Sequence, residues 1–139
     1  VWWHDDPRPT GELPVGEASA AQRALLDTTT RQLGEYFAGT RTHFDLPLDA
    51  QGTPFQDAAW GVLRCIAYGT TMTYGQQAMA LGDPNKARAV GAANGRNPIG
   101  IIVPCHRVVG ASGALTGFAG GLDAKAWLLD HEQRVLADR

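Results

Sequence analysis

The densest chemistry in the chain is the run Pro104-Cys105-His106-Arg107. A thiol near its ordinary pKa is mostly protonated at neutral pH, so a nucleophilic Cys105 needs a base or a positive charge beside it. His106 is the nearest candidate base. Adjacent residues do not face each other on a helix and point to opposite faces of a strand. A turn or a bridging water must therefore link the two. His106 in turn needs a partner that fixes its tautomer and steadies its protonated form. Glu132 qualifies, because Leu128, Leu129, Val135 and Leu136 fill its i±3 and i±4 positions and place it on an inward helix face. Asp130 neighbours Ala126, Trp127, Gln133 and Arg134, a wetter side. An inward carboxylate must be paired. Two pairings are open: a salt bridge to one of the arginines, or a bond to His106 that would raise its basicity.

The other candidates point to less. Cys65 reads as a small core or near-core side chain. Two cysteines with no CxxC pair exclude a disulfide framework and imply a reducing, cytoplasmic setting. The four histidines lack metal-ligand spacing, so no metal site is expected.

Several elements must position this chemistry. Residues 7–17 are rich in Pro and Gly and read as a surface loop. Ala18 to Gly39 reads as an amphipathic helix with Leu25, Leu26, Leu33, Tyr36 and Phe37 on one stripe. Phe44, Leu46 and Leu48 alternate with Asp45 and Pro47, which suggests an edge strand or an extended linker. Thr53, Pro54 and Gln56 spell a capping box, opening a helix whose stripe is Phe55, Ala59, Val62, Leu63 and Ile66. Tyr74–Leu81 and Pro84–Asn94 are two short helical patterns separated by Gly82-Asp83, the spacing of a helix-turn-helix. In the second, Ala87, Ala89, Gly91, Ala92 and Ala93 are small and the long Lys86 and Arg88 stand out. That pattern suits either a tight helical hairpin or close approach to a groove. Ile99 to Val103 reads as a buried strand, Gly110–Gly113 and Gly117–Gly121 as loops, and Ala124 to Leu136 as the closing helix.

Charge is unevenly spread along the 139 residues, whose net charge is −2. Residues 1–57 carry four basic and nine acidic side chains; residues 58–127 carry six basic and two acidic, with no acid between Pro84 and Arg107. The middle segment is either a solvated charged face or the footprint of an anionic partner. No apolar run approaches the ~18 residues of a membrane span. The chain begins without Met on Val1-Trp2-Trp3, which reads as the end of a strand and not as a signal peptide, so an upstream piece is expected.

The block Asn97-Pro98-Ile99-Gly100-Ile101-Ile102-Val103-Pro104-Cys105-His106-Arg107-Val108-Val109 resembles the active-site block of the O6-alkylguanine-DNA alkyltransferases. The resemblance extends over about residues 53–136, through Thr73-Tyr74-Gly75, Ala87-Arg88-Ala89-Val90-Gly91 and Gly120-Gly121-Leu122. It implies an α/β fold with a ribonuclease-H-like α/β domain over residues 1–50, lacking its first strands. A mainly helical, winged-helix-like domain with a helix-turn-helix would follow over 51–139. It further implies irreversible transfer of an alkyl group from O6-alkylguanine, and from O4-alkylthymine, in double-stranded DNA to Cys105, with one turnover and no cofactor.

The remaining roles follow from the same resemblance. His106 would be the base acting through a water, Glu132 the carboxylate behind it, and Asn97 the tie between helix-turn-helix and site. Tyr74, Val108, Phe118, Ala119 and Lys125 would line the substrate. Arg88 would enter the duplex where the guanine leaves, flanked by Lys86, Ala87, Ala89, Asn94 and Arg96 on the DNA. Phe118 and Ala119 depart from the Tyr and Ser of many relatives. A monomer, able to cluster along DNA, is expected. Base extrusion is what such chemistry requires, since the O6 substituent is out of reach inside a duplex. The alternatives are a non-catalytic helix-turn-helix regulator or lesion binder, and a Cys-His hydrolase, which sequence adjacency disfavours.

Overall fold

A computed structural model describes residues 19–118 and 120–139. The expectations for residues 1–17, and for Ala119, lie outside the described residues. The described residues fall into two compact units, 19–48 and 49–139.

The first unit is built on α1 (Ala20–Ala38). Ser19 caps it through a reciprocal box with Gln22, and Gly39 ends it in the left-handed region at φ 83°. The expected apolar stripe is only partly used. Tyr36 is buried against Phe44, but Leu25, Leu26 and Phe37 are exposed within the described residues. The buried polar residue is Gln32, which exchanges two hydrogen bonds with the Asp45 backbone. Those bonds hold the segment after α1 as extended coil, not as the edge strand that its alternation allowed.

The second unit carries α2 (Pro54–Arg64), β1 (Met72–Thr73), α3 (Tyr74–Ala80), α4 (Ala87–Gly95), β2 (Val108–Val109) and α5 (Leu122–Ala137). The Thr53–Gln56 capping box and Pro54 open α2 as expected. Thr73 repeats the device with Gln76 at α3, and Asp83 caps a 3₁₀ turn over Pro84–Lys86 that leads into α4. α2, α3 and α4 are bound to one another by buried polar ties. Trp60 Nε1 donates to the Ala93 carbonyl at 2.9 Å. Gln77 donates to the Ala59 carbonyl and pairs reciprocally with the Asn94 amide at 2.8 and 3.0 Å. The core between these helices includes Ala59, Leu63, Ile66, Ala78, Val90 and Ala93.

Two expectations are corrected here. Ile99–Val103 is a series of turns, because Ile101 sits at φ 72°, a left-handed conformation outside any strand, while its side chain is buried. The strand lies further on, at Val108–Val109, paired in parallel with Met72–Thr73. Cys65 is exposed at the C-terminal cap of α2 and is not a core side chain. Leu63 and Ile66 take the buried positions, and the cap turns Cys65 outward. Overall the described fold is mainly helical with one small sheet, and among the described residues no helix is long and apolar enough to cross a membrane.

Candidate active site

Cys105, His106 and Arg107 form one 3₁₀ turn between the 97–103 loop and β2. The turn answers the geometric objection to adjacent residues cooperating, since it is neither regular helix nor strand. Asn97, itself buried, organises the approach. Its Nδ2 donates to the Val103 carbonyl at 2.8 Å and its Oδ1 accepts from the Ile99 amide at 3.0 Å. The Val103 carbonyl also accepts from the Cys105 amide at 2.8 Å. One side chain thus fixes the loop that delivers the thiol, which is half-buried.

Behind the turn lies a fully buried charged cluster. His106 and Glu132 both have no exposed surface. His106 Nε2 meets Glu132 Oε2 at 2.7 Å, and Arg107 donates from Nε to Oε1 at 2.9 Å and from Nη2 to Oε2 at 3.0 Å. The Gly69 amide donates to Oε1 at 3.0 Å. Each carboxylate oxygen therefore accepts two bonds. Both pairings left open by the sequence are made at once.

Burial opposes the charge on Glu132, but the bonds from His106 and Arg107 outweigh it and hold the carboxyl at about 2, well below the usual range. With Glu132 ionised, the Nε2 hydrogen of His106 is the one it accepts, and Nδ1 is left as the lone-pair nitrogen. That Nδ1 is buried and has no hydrogen-bond partner among the described residues. The expectation that Glu132 raises His106 basicity is met only in part. The carboxylate does push upward, but desolvation is larger and holds His106 below its ordinary value. The ring is accordingly neutral at neutral pH and able to accept a proton.

Two of the substrate-side candidates, Tyr74 and Lys125, converge on one carbonyl. Tyr74 OH donates to the Thr116 carbonyl at 2.9 Å and the wholly buried Lys125 donates to it at 2.7 Å, with its Nζ 5.7 Å from the Tyr74 ring centroid. Burial lowers the Lys125 pKa, and the Cys105 thiolate opposes that shift. Val108 is buried in β2, its amide donating to the Cys105 carbonyl. Phe118 lies half-buried in the loop beyond.

On α4, Arg88 and Ala89 are exposed, Ala87 is half-buried, and Arg96 is exposed at the helix's end. The exposed Lys86 precedes the helix with its Nζ 5.4 Å from the Phe55 ring centroid. A groove of about 590 Å³ runs past Phe55, Lys86, Arg88 and Ala92. Asn94 departs from its expected place on DNA: it is buried and its amide is committed to Gln77, so it ties α4 to α3.

Sequence reasoning missed Arg107, the Gly69 amide and the Thr116 carbonyl. Gly69 favours glycine because its φ of 74° strains an L side chain; a Cβ there would also displace the flexible end of Leu136. Only Arg107 left a signal, as one of the basic residues near an inward-facing glutamate.

Residues 54–134 match the family model described as 6-O-methylguanine DNA methyltransferase, DNA binding domain. The chain is 58% identical over 103 residues to a methylated-DNA–protein-cysteine methyltransferase of Mycolicibacterium paratuberculosis, covering 74% of this chain and 62% of that protein. It is 56% identical over 121 residues to the protein of the same name from Methanosarcina acetivorans, covering 87% and 78%. The chain thus spans just under two thirds of the mycobacterial relative's length. The crystal structure of Mycobacterium tuberculosis OGT in complex with DNA superposes with a TM-score of 0.76 at 54% identity, over 78% of this chain and 66% of that one.

Proposed function

The chain belongs to the O6-methylguanine-DNA methyltransferase family, and from that premise we propose that it repairs DNA by moving an alkyl group from O6-alkylguanine onto Cys105. The observation that carries the reading is the buried His106, one nitrogen pinned on an ionised Glu132 and the other left as a lone pair, next in sequence to the half-buried Cys105.

His106 Nδ1 takes the thiol proton through a water, and the imidazolium is stabilised by Glu132. The thiolate attacks the alkyl carbon, so that a C–S bond forms as the C–O bond breaks and the electron pair leaves with the guanine. The departing base takes a proton, for which the Tyr74 hydroxyl is the nearby donor. Lys125 favours the thiolate by its charge. The product thioether is stable, and the reading supplies no group to cleave it, so each molecule acts once.

DNA is the partner, with α3 and α4 acting as a helix-turn-helix. Arg88, flanked by Lys86, Ala87, Ala89 and Arg96, replaces the extruded base. Val108 and Phe118, with Ala119, Tyr74 and Lys125, border the flipped guanine. Residues 1–50 would belong to a ribonuclease-H-like domain, 51–139 to a winged-helix-like one, and the protein would be a cytoplasmic monomer.

Incubation with duplex carrying O6-methylguanine tests the reading. The wild-type mass rises by one methyl and Cys105→Ala binds DNA without a mass change. Binding that ignores the lesion and leaves the wild-type mass unchanged would make the protein a helix-turn-helix regulator instead.

A further inference from the structure

Arg107 is the one residue of the Cys105–Arg107 turn to which alkyl transfer gives no task, yet its whole guanidinium is engaged. Nε and Nη2 grip the two oxygens of Glu132 at 2.9 and 3.0 Å, and Nη1 donates to the Ile66 carbonyl at 2.7 Å. The guanidinium carbon lies 5.5 Å from the Tyr68 ring centroid. We infer that Arg107 is a positioning residue for the transfer: by binding both oxygens of Glu132 it keeps the carboxylate ionised and turned toward His106, and so sets the proton affinity of His106 Nδ1. The inference rests on the alkyl-transfer reading and deepens it.

Charge has to balance in this dry site. With Arg107 in place, Glu132 has a permanent counter-ion, and His106 can stay neutral until the thiol proton arrives. Without it, the fully buried carboxylate keeps the bonds from His106 and the Gly69 amide but loses its permanent counter-ion. The imidazole already bonded to the carboxylate then takes the counter-ion's place, and it acquires its second proton from solvent. A His106 already protonated has no lone pair on Nδ1 for Cys105. The charged groups that act on His106 are Glu132 and Lys125 from α5 and Arg107 from its own turn, with the thiol of Cys105 next to it in sequence. Arg107 and Lys125 both lower its proton affinity, Arg107 more strongly, and Glu132 raises it. The fork geometry matters separately from the charge. A lysine ammonium is a point charge and cannot hold both oxygens in one plane.

The test is a ring titration of His106 by nitrogen-15 NMR in the full chain, for wild type, Arg107→Met and Arg107→Lys. Single-turnover rates on free O6-benzylguanine are measured alongside over the same pH range. In Arg107→Met the His106 midpoint rises by about one pH unit or more, and the acid limb of the rate profile moves up with it. In Arg107→Lys the midpoint stays near wild type, while the rate per folded molecule falls about tenfold or more for loss of orientation. An Arg107→Met protein with an unmoved midpoint and acid limb, its rate loss matching its unfolded fraction, overturns the inference and leaves a structural brace. Should Arg107→Met fail to fold, a wild-type rate in Arg107→Lys overturns it equally. Failure of the alkyl-transfer reading looks different: wild type then forms no adduct at any pH, whatever the ring titration shows.

Discussion

Replacing Glu132 by Gln strikes the buried cluster at its centre. The amide keeps one acceptor oxygen but presents an NH₂ to two donors, either Gly69 N and Arg107 Nε or His106 Nε2 and Arg107 Nη2. It also leaves Arg107, 7% exposed, without a counter-charge. Removing one partner of a buried ion pair costs about 3–5 kcal/mol. Against a domain stability of about 5–15 kcal/mol, the variant folds but marginally. Arg107→Met alone should cost a similar amount, because it takes from the carboxylate two hydrogen bonds and its permanent counter-ion. The double variant Glu132→Gln/Arg107→Met strands neither, so its cost falls short of the sum by about 2–3 kcal/mol. Urea unfolding of the four proteins at neutral pH, followed by circular dichroism, gives the cycle. Additivity within about 0.5 kcal/mol would refute the reasoning, for it would mean that the two charges do not share a desolvated site.

Asn97→Ala takes the side-chain acceptor from the Ile99 amide and one of two donors from the buried Val103 carbonyl, which keeps the Cys105 amide; with one group losing its partner it should lower stability by about 1–3 kcal/mol, and a urea midpoint equal to wild type contradicts this. Arg88→Ala should slow transfer from duplex at saturating DNA tenfold or more, since flipping costs a few kcal/mol, yet leave the rate on free O6-benzylguanine unchanged. Equal loss on both substrates would instead assign Arg88 to the fold. Stability should decline with acid. His106 is held below 6.5 when folded, so its contribution is complete above that pH and is lost as pH falls. Glu132, held at about 2 against an ordinary 4.5, contributes about 3 kcal/mol above pH 4.5 that is lost progressively toward pH 2. A urea midpoint that holds steady or rises between neutral pH and about pH 3.5 counts against both.

Much of this site is written in local sequence. The capping boxes at Thr53 and Thr73 are four-residue signals that set helix starts directly. The inward place of Glu132 follows from its helical neighbours, and Asp130 is duly found on the wet side in an exposed pair with Arg134. The illegible part is long-range or strained. Gly69 and Glu132 are 63 positions apart, and nothing in the local pattern of either foretells their bond. The apolar run Ile99–Val103 has the composition of a strand, but the side-chain bonds of Asn97 and the left-handed Ile101 fold it into turns. The DNA contact that the resemblance implies for Asn94 meets a similar limit, since only the facing helix supplies the Gln77 amide to which its side chain is bonded. The Leu25–Leu26 stripe of α1 shows the limit in the other direction, an amphipathic pattern whose apolar side is exposed in the described unit.

The central claim is that Cys105 is the acceptor and that the His106–Glu132 pair arms it. It is tested most directly by titrating a known amount of protein with excess O6-methylguanine duplex and mapping the methyl by peptide mass spectrometry. The account predicts a plateau at one methyl per molecule, carried by the peptide containing Cys105 and absent from the one containing the exposed Cys65. Methyl on Cys65, or product that keeps accumulating beyond one equivalent, would contradict it.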